Sequence, residues 1–319
     1  MPETSFKPII IFMDTDKHAS PFDILTAIDL FPDAEILKYE NVNVEDVEKI
    51  VYDALLPKGP EGAKHTKLFI NGKDFKKANE ILEKAKGCMI PPFEISIIID
   101  PKGAYTTATA AVSKTLELSL EKNLGNFESK VVTVLAGTGP VGQTAAKLYA
   151  CEKADVILTS RSLQKASSVV TRINEECEGE RVRGVEVPTP RDMGEAIQNA
   201  DIILSAGAAG TELLTLDVLK KCGKKCRIVA DINAIPPLGV EGIDSNADGT
   251  EIAPNVYGIG ALAIGKLKNK IEAQLIRRAV EEPKGVFDHK TAYEIAKKII
   301  ACKEGKQAAQ AEMPKYWLP

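Results

Sequence analysis

The sequence predicts an α/β protein of two domains, each built around a parallel sheet. Short aliphatic and β-branched runs alternate with helical patterns along the whole chain. Several runs, Ile95-Ser96-Ile97-Ile98-Ile99 among them, are apolar on both faces, as strands covered by helices on both sides must be. At 319 residues the chain is long enough for two cores.

In the first part, strands are expected at 8–13, 35–39, 67–71 and 95–100, with helices near 22–31, 43–55 and 74–86 between them. A long helix at about 106–121 leads to a boundary at 122–129, where Gly125 and Asn126 mark a turn. The second part reads as strands at 131–135, 154–159, 181–187, 201–205 and 227–232. A turn-rich stretch, a short strand near 256–258 and a helix at about 264–281 follow. A last helix near 290–303 is expected to pack back on the first domain. The domains are thus 1–122 with a helical return at 283–303, and 123–282. The tail 304–319, polar and Ala-rich with an aromatic pair, is a candidate partner contact.

The turn after the first strand of the second domain carries the strongest motif. Gly137, Gly139 and Gly142 have the spacing G-x-G-x-x-G, with a strand before, a helix after and another strand one helix later. Such a βαβ unit binds a dinucleotide. The first glycine permits the tight turn, the second lets the backbone approach the pyrophosphate, and the third lets helix and strand pack closely. Thr138, Pro140 and Val141 complete the turn and belong to the same candidate cofactor site. The dinucleotide-binding domain is therefore of the Rossmann kind. An enzyme using NAD usually has an acid about 20 residues past the glycines, on the ribose 2′-hydroxyl. This chain has Ser160-Arg161-Ser162 there, with Lys165 one turn on. A planar guanidinium suits a 2′-phosphate, so the residues favour NADP, with NAD weaker.

Composition narrows the rest. A net charge of −4 argues against nucleic acid as the main partner. No run approaches the ~18 apolar residues of a membrane span, and the start of the chain lacks a basic, apolar leader pattern. Six scattered cysteines (88, 151, 177, 222, 226 and 302) read as reduced thiols of a cytoplasmic protein. Cys222 and Cys226 have no second ligand pair, so no metal site is expected. The three histidines do not cluster, and two Y-x-x-x-K matches (Tyr149–Lys153 and Tyr293–Lys297) fall on helices poorly placed for chemistry.

Ligands of open α/β sheets sit beyond the carboxyl ends of the strands. In the first domain those ends carry Asp14-Thr15-Asp16, then Phe22 and Asp23, and Asp100 followed by Thr106 and Thr107. In the second they carry Ala206-Gly207-Ala208, Asp231 and Asn233. Each acid could instead cap the next helix. Asp23 is read as such a cap; for Asp14, Asp16 and Asp100 capping and ligand contact both stand.

Taken together, DTD…PFD, IIIDP…TTATAAV, VLAGTGPVG, TSRS, ILSAGAAG, ADINAIPPLGVEGID and GIGALAIGKLK resemble the NADP-dependent methylene-tetrahydromethanopterin dehydrogenases of one-carbon metabolism. The resemblance runs in order to about residue 303 and leaves out 1–7 and the tail. It implies hydride transfer from methylene- to methenyl-tetrahydromethanopterin, a pterin-binding first domain, and a trimer-based homo-oligomer. Some members also take tetrahydrofolate. Lys268, in the GKLK segment, resembles a functional lysine of the family; the residues themselves add Asp100 and Asp16 as catalytic candidates and Asp14, Thr15, Phe22, Thr106 and Thr107 against the pterin. Ser160, Arg161, Lys165, Ala206, Gly207, Ala208, Asp231, Asn233 and Gly260 join the glycine turn at the cofactor. Glu272 stands where the family has a histidine. Removing hydride from a carbon between two nitrogens leaves an amidinium cation, so the chemistry asks for alignment and a suitable field rather than a strong base. Methylene-tetrahydrofolate dehydrogenase and a shikimate- or amino-acid-dehydrogenase-like enzyme are the alternative activities. The latter needs an acid–base lysine, for which Lys17, Lys38 and Lys102 lack a setting. A non-catalytic NADP-responsive module is the third class.

Overall fold

A computed structural model describes residues 6–177 and 179–304. The tail beyond 304 and most of the N-terminal extension lie outside the described residues. In chain order the first elements are β1 (Ile9–Asp14), α1 (Pro21–Leu30), β2 (Glu35–Tyr39), α2 (Val47–Leu55), α3 (Gly59–Ala63), β3 (Thr66–Asn71), α4 (Phe75–Gly87) and β4 (Ser96–Ile99). Next come α5 (Ala104–Glu121), β5 (Val131–Leu135), α6 (Pro140–Cys151), β6 (Asp155–Ser160), α7 (Leu163–Glu176) and β7 (Val182–Glu186). The chain continues through α8 (Pro190–Ile197), β8 (Ile202–Ser205), α9 (Leu216–Cys222), β9 (Ile228–Asp231), β10 (Asp248–Ala253) and β11 (Val256–Ile259). It closes with α10 (Ala261–Glu281), β12 (Gly285–Phe287) and α11 (His289–Glu304).

Two compact units result: residues up to Thr106 with those from Asn269 onward, and Thr107–Lys268. Their limits fall inside α5 and α10, whereas the sequence puts them at the turns near 122 and 282. Each long helix starts in one unit and ends in the other, so the turns that end them are not where packing changes hands.

The first unit is a five-stranded sheet, ordered β12-β4-β3-β1-β2, parallel throughout. Alternate residues serve opposite faces. Ile11, Met13, Leu68, Ile70, Ile97 and Ile99 pack with Val47, Val51 and Leu55 of α2 and with Ile81 and Leu82 of α4. Their neighbours Phe12 and Phe69 stack on the other face, centroids 4.9 Å apart. β12 is an addition to the expected elements. It pairs with β4 (Val286 opposite Ile97) and sets α11 beside the same unit, where His289 meets Tyr105 at 4.9 Å.

The second unit is a seven-stranded sheet, β10-β11-β9-β8-β5-β6-β7. All neighbours are parallel except β10 and β11. β5 lies between β8 and β6, so the strand order reverses at the glycine turn, the switch point where ligands bind in such sheets. The expectation of six reduced cysteines is corrected at one pair. Cys151 ends α6 and Cys177 caps α7, their Cα atoms are 5.6 Å apart, and the two form a disulfide. Cys88, Cys222, Cys226 and Cys302 are free; burial pushes the Cys226 thiol up to about 12. No helix among the described residues is long and apolar enough to cross a membrane.

One buried charge is invisible to sequence pattern. Lys67, near the start of β3, is fully buried. Its ammonium donates to the Glu282 carbonyl just past α10 at 2.7 Å, where helix C-termini favour cations. Ser96 donates to the same carbonyl at 2.7 Å. Burial pushes the Lys67 pKa down to about 8. Above that pH the folded chain carries neutral Lys67, while an unfolded lysine stays protonated to about 10.4. The folded state then binds fewer protons, so stability rises with pH across that window. Urea unfolding of the wild type against Lys67→Met from pH 7.5 to 10 should show a wild-type gain on the order of 2 kcal/mol that the variant lacks. Parallel curves would remove Lys67 as the source.

Candidate active site

The glycine turn of the second unit divides its three glycines by role. A Cβ on Gly137 would lie 2.5 Å from Leu158 Cγ, and one on Gly142 would lie 2.6 Å from the Gly137 Cα. Both positions are closed by packing between strand and helix. A Cβ on Gly139 would meet nothing nearer than the Ala136 carbonyl at 3.8 Å. That glycine keeps a space open rather than fitting into one. Gly139 is also the N-cap of α6, followed by Pro140 at the first helical position, where no amide is needed. The first intrahelical bond runs from the Gln143 amide to the Gly139 carbonyl. By helix geometry the Val141 and Gly142 amides face outward as an anion seat.

Beside this turn opens a cavity of about 1020 Å³. It brings together Thr138, Gly139, Ser160, Arg161, Ser162, Lys165, Ala206, Gly207 and Ala208 from the sequence expectations, and adds Thr189, Met193 and Leu213. Ser160 is buried at the end of β6, and its hydroxyl accepts the Ser162 amide at 3.2 Å. Ser162 caps α7 by accepting the Lys165 amide. Arg161 and Lys165 have no ion-pair partner among the described residues, and both line the cavity.

Asp231, Asn233 and Gly260 have work of another kind. Asp231 accepts the amides of Gly239 (2.7 Å), Val240 (3.2 Å) and Asn233 (3.1 Å). Burial pushes its carboxyl up and those amides draw it back. Asn233 accepts the Ile235 amide and donates to the Pro237 carbonyl. Together they shape the loop after β9, which bonds through the Gly239 carbonyl to the amides of Leu213 and Leu214 at the cavity wall. Gly260 is a packing glycine, since a Cβ there would lie 2.2 Å from the Asp244 carbonyl oxygen.

In the first unit the carboxyl ends of β1, β3 and β4 form a polar cluster. Asp14 pairs in register with Asn71 and accepts the amides of Asp16 (2.8 Å) and Ser20 (3.2 Å). Burial pushes its carboxyl up. Asp16 accepts the Lys73 amide at 3.2 Å. Thr15 Oγ1 is a buried atom without a hydrogen-bond partner among the described residues; it lies against Gly72, whose Cβ would fall 1.9 Å away. Phe22, on α1, is 45% exposed. Asp23 is corrected: Ser20 fills the N-cap of α1, and Asp23, buried in the first turn, accepts from the Asn71 amide group at 2.7 Å. Asp100 is fully buried, accepts the amides of Tyr105 and Thr106, and binds the Thr106 hydroxyl at 2.5 Å. Thr107 is half-buried one residue on.

Asn71 is the residue that sequence reasoning misses. Besides Asp23, its side chain accepts the amides of Gly72 (2.7 Å) and Lys102 (2.8 Å). It thereby fixes Lys102 at φ +51, a strained left-handed conformation. The available signal was an asparagine closing an apolar strand just before a glycine. Lys268 is half-buried in α10, and Glu272, one turn further, is buried. Among the described residues no group of three or more His, Cys, Asp or Glu side chains is arranged to hold a metal ion.

The two units together have the two-domain Rossmann-like fold found among dehydrogenases. A shikimate 5-dehydrogenase from Mycobacterium fortuitum shares the fold at TM-score 0.51 and 14% identity, over 92% of this chain and 98% of that one. Residues 118–244 match the family described as shikimate/quinate 5-dehydrogenase, and residues 21–102 match the N-terminal domain of methylene-tetrahydromethanopterin dehydrogenase. Two proteins of Methylorubrum extorquens align over nearly the whole chain. The NAD(P)-dependent methylenetetrahydromethanopterin dehydrogenase is 31% identical over 89% of this chain and 95% of its own length. The Bifunctional protein MdtA is 34% identical over 92% and 99%. This chain belongs to the methylenetetrahydromethanopterin dehydrogenase family.

The different surroundings of the glycines give a test. Gly139→Val should melt near the wild-type temperature yet lose dinucleotide binding in calorimetry, because the side chain fits the empty fold and fills the space kept open. Gly142→Val should be strongly destabilised. Retained affinity in Gly139→Val would move the phosphate site elsewhere.

Proposed function

We propose that this protein catalyses the reversible NADP-dependent oxidation of methylene-tetrahydromethanopterin to the methenyl form by direct hydride transfer, a step in one-carbon metabolism. The observation that carries the reading is the second unit's cavity, where an open glycine, a helix N-terminus and two unpaired cations line one space. Its volume suits a large dinucleotide, given ~300–1,000 Å³ for ordinary ligand pockets. The substrate named for the curated relative supports the pterin. NADP is favoured over NAD by Arg161, which stands where an acid would select the free ribose.

The bound nicotinamide supplies the hydride acceptor. What remains for the chain is to align the methylene carbon and to shape the field around a charge that grows on the substrate. Lys268 and Asp16 are the proposed catalytic contacts, and Asp14, Thr15, Phe22 and Thr107 the proposed pterin contacts, with the exposed Phe22 ring offering a stacking face. Asp100, whose oxygens hold the first turn of α5, acts with Thr106 as a positioning pair. Asp231 and Asn233 support the cofactor by setting the loop after β9. A cytoplasmic, trimer-based homo-oligomer is proposed with this reading; Leu25 and Ile28, exposed on one face of α1, suit a subunit contact.

The deciding assay measures NADPH formation with methylene-tetrahydromethanopterin, methylene-tetrahydrofolate and shikimate offered separately. Activity with the first supports the proposal. Activity confined to the second or third selects the corresponding alternative, and none with any leaves a binding module. For the cofactor, Arg161→Ala should weaken NADP by about 1.5–3 kcal/mol, the loss of one charge-assisted contact, and leave NAD nearly unchanged. An equal fall for both cofactors would mean that Arg161 does not read the 2′-phosphate.

A further inference from the structure

An acid that the glycine motif does not reveal lies next to the cavity wall, one residue before Val187 and beside the start of α7. Glu186 is the last residue of β7 and lies opposite Ser160 in the parallel register. The next residue, Val187, lines the cavity and donates its amide to the Ser160 carbonyl at 2.9 Å. The Glu186 carboxylate accepts the Leu163 amide at 3.4 Å, the first amide of α7. Ser162 takes the Lys165 amide in the same turn. Of the three amides that open this 14-residue helix, two are therefore occupied from within the chain.

A helix start next to Arg161 would ordinarily be a second seat for a phosphate. Here a carboxylate already sits in it. Glu186 forms no ion pair with Arg161 or Lys165, so its charge is not cancelled by the cations that line the cavity. A 2′-phosphate placed at Arg161 and Lys165 would have the exposed Glu186 carboxylate at the neighbouring helix start. A ribose with a free 2′-hydroxyl carries no charge there and is not repelled.

We infer that Glu186 is a cofactor-specificity residue, a built-in anion at the start of α7 that restrains the preference for NADP over NAD which Arg161 and Lys165 create. The inference rests on reading the cavity as a nicotinamide-dinucleotide site. It concerns the ratio of the two affinities, not whether either cofactor binds. Glu186→Gln removes the charge and keeps an acceptor for the Leu163 amide. Glu186→Ala removes both.

The test is calorimetric affinity for NADP and NAD in the wild type and both variants, at low and high salt. Each variant should bind NADP about three- to tenfold more tightly, the scale of one charge at a helix terminus, with NAD changed by less than about twofold. The gain should shrink at high salt, as screening requires. A wild-type affinity ratio in both variants, with both cofactors still bound, overturns the role of Glu186 and leaves the dinucleotide site intact. A wild type that binds neither cofactor overturns the reading of the cavity itself.

Discussion

A parallel sheet covered on both faces leaves its loops with amides that no neighbouring strand can take, and this chain meets that demand with buried polar side chains at the strand ends. Asp14, Asn71 and Asp100 do so in the first unit, Asp231 in the second. Each accepts two or three backbone amides, from the loop that follows, from a neighbouring loop or, for Asp100, from the first turn of α5. A buried amide without an acceptor costs roughly 1–3 kcal/mol, so these side chains are bound to their loops before any ligand arrives. The candidate site is therefore built on loops whose shape is fixed from below.

That constraint explains why the strand-end acids were legible as positions but not as roles. A carboxylate at such a place reads the same whether it meets a ligand or a helix start. The structure shows Asp100 and Asp231 engaged by backbone amides, and Asp23 displaced from its expected cap by Ser20. The glycine turn, by contrast, was legible in full because its spacing reports a close approach of backbones, and the 2.6 Å clash at Gly142 is that approach. The apolar strands were legible for the same reason: two-faced burial leaves a mark on every residue. β12 is three residues long and carries no period, and β10 is mostly polar with register shifts against β11. The burial of Lys67 is not legible locally, because nothing near it announces that a carbonyl 215 residues away will take its ammonium.

The two units differ in what they offer a ligand. The second presents mostly backbone: glycines, a helix start and an Ala-Gly-Ala loop, with charge supplied by Arg161, Lys165 and the opposing Glu186. The first presents side chains held in place by Asn71, whose single amide joins the loops after β3 and β4 to α1.

The chemistry proposed for this family places the burden on that rigidity. Hydride leaving a carbon between two nitrogens creates charge that the substrate itself delocalises, so the proposed chemistry asks for no strong base to take a proton. In the proposed reaction the protein's part is to hold the carbon at the acceptor and to have its dipoles already oriented when charge appears. Side chains spent on their own loops are suited to this, because a carboxylate that already accepts two amides does not reorganise as the reaction proceeds. The hydrogen bonds that engage Asp100 and Asp231 tie these carboxylates to the first turn of α5 and to the loop after β9.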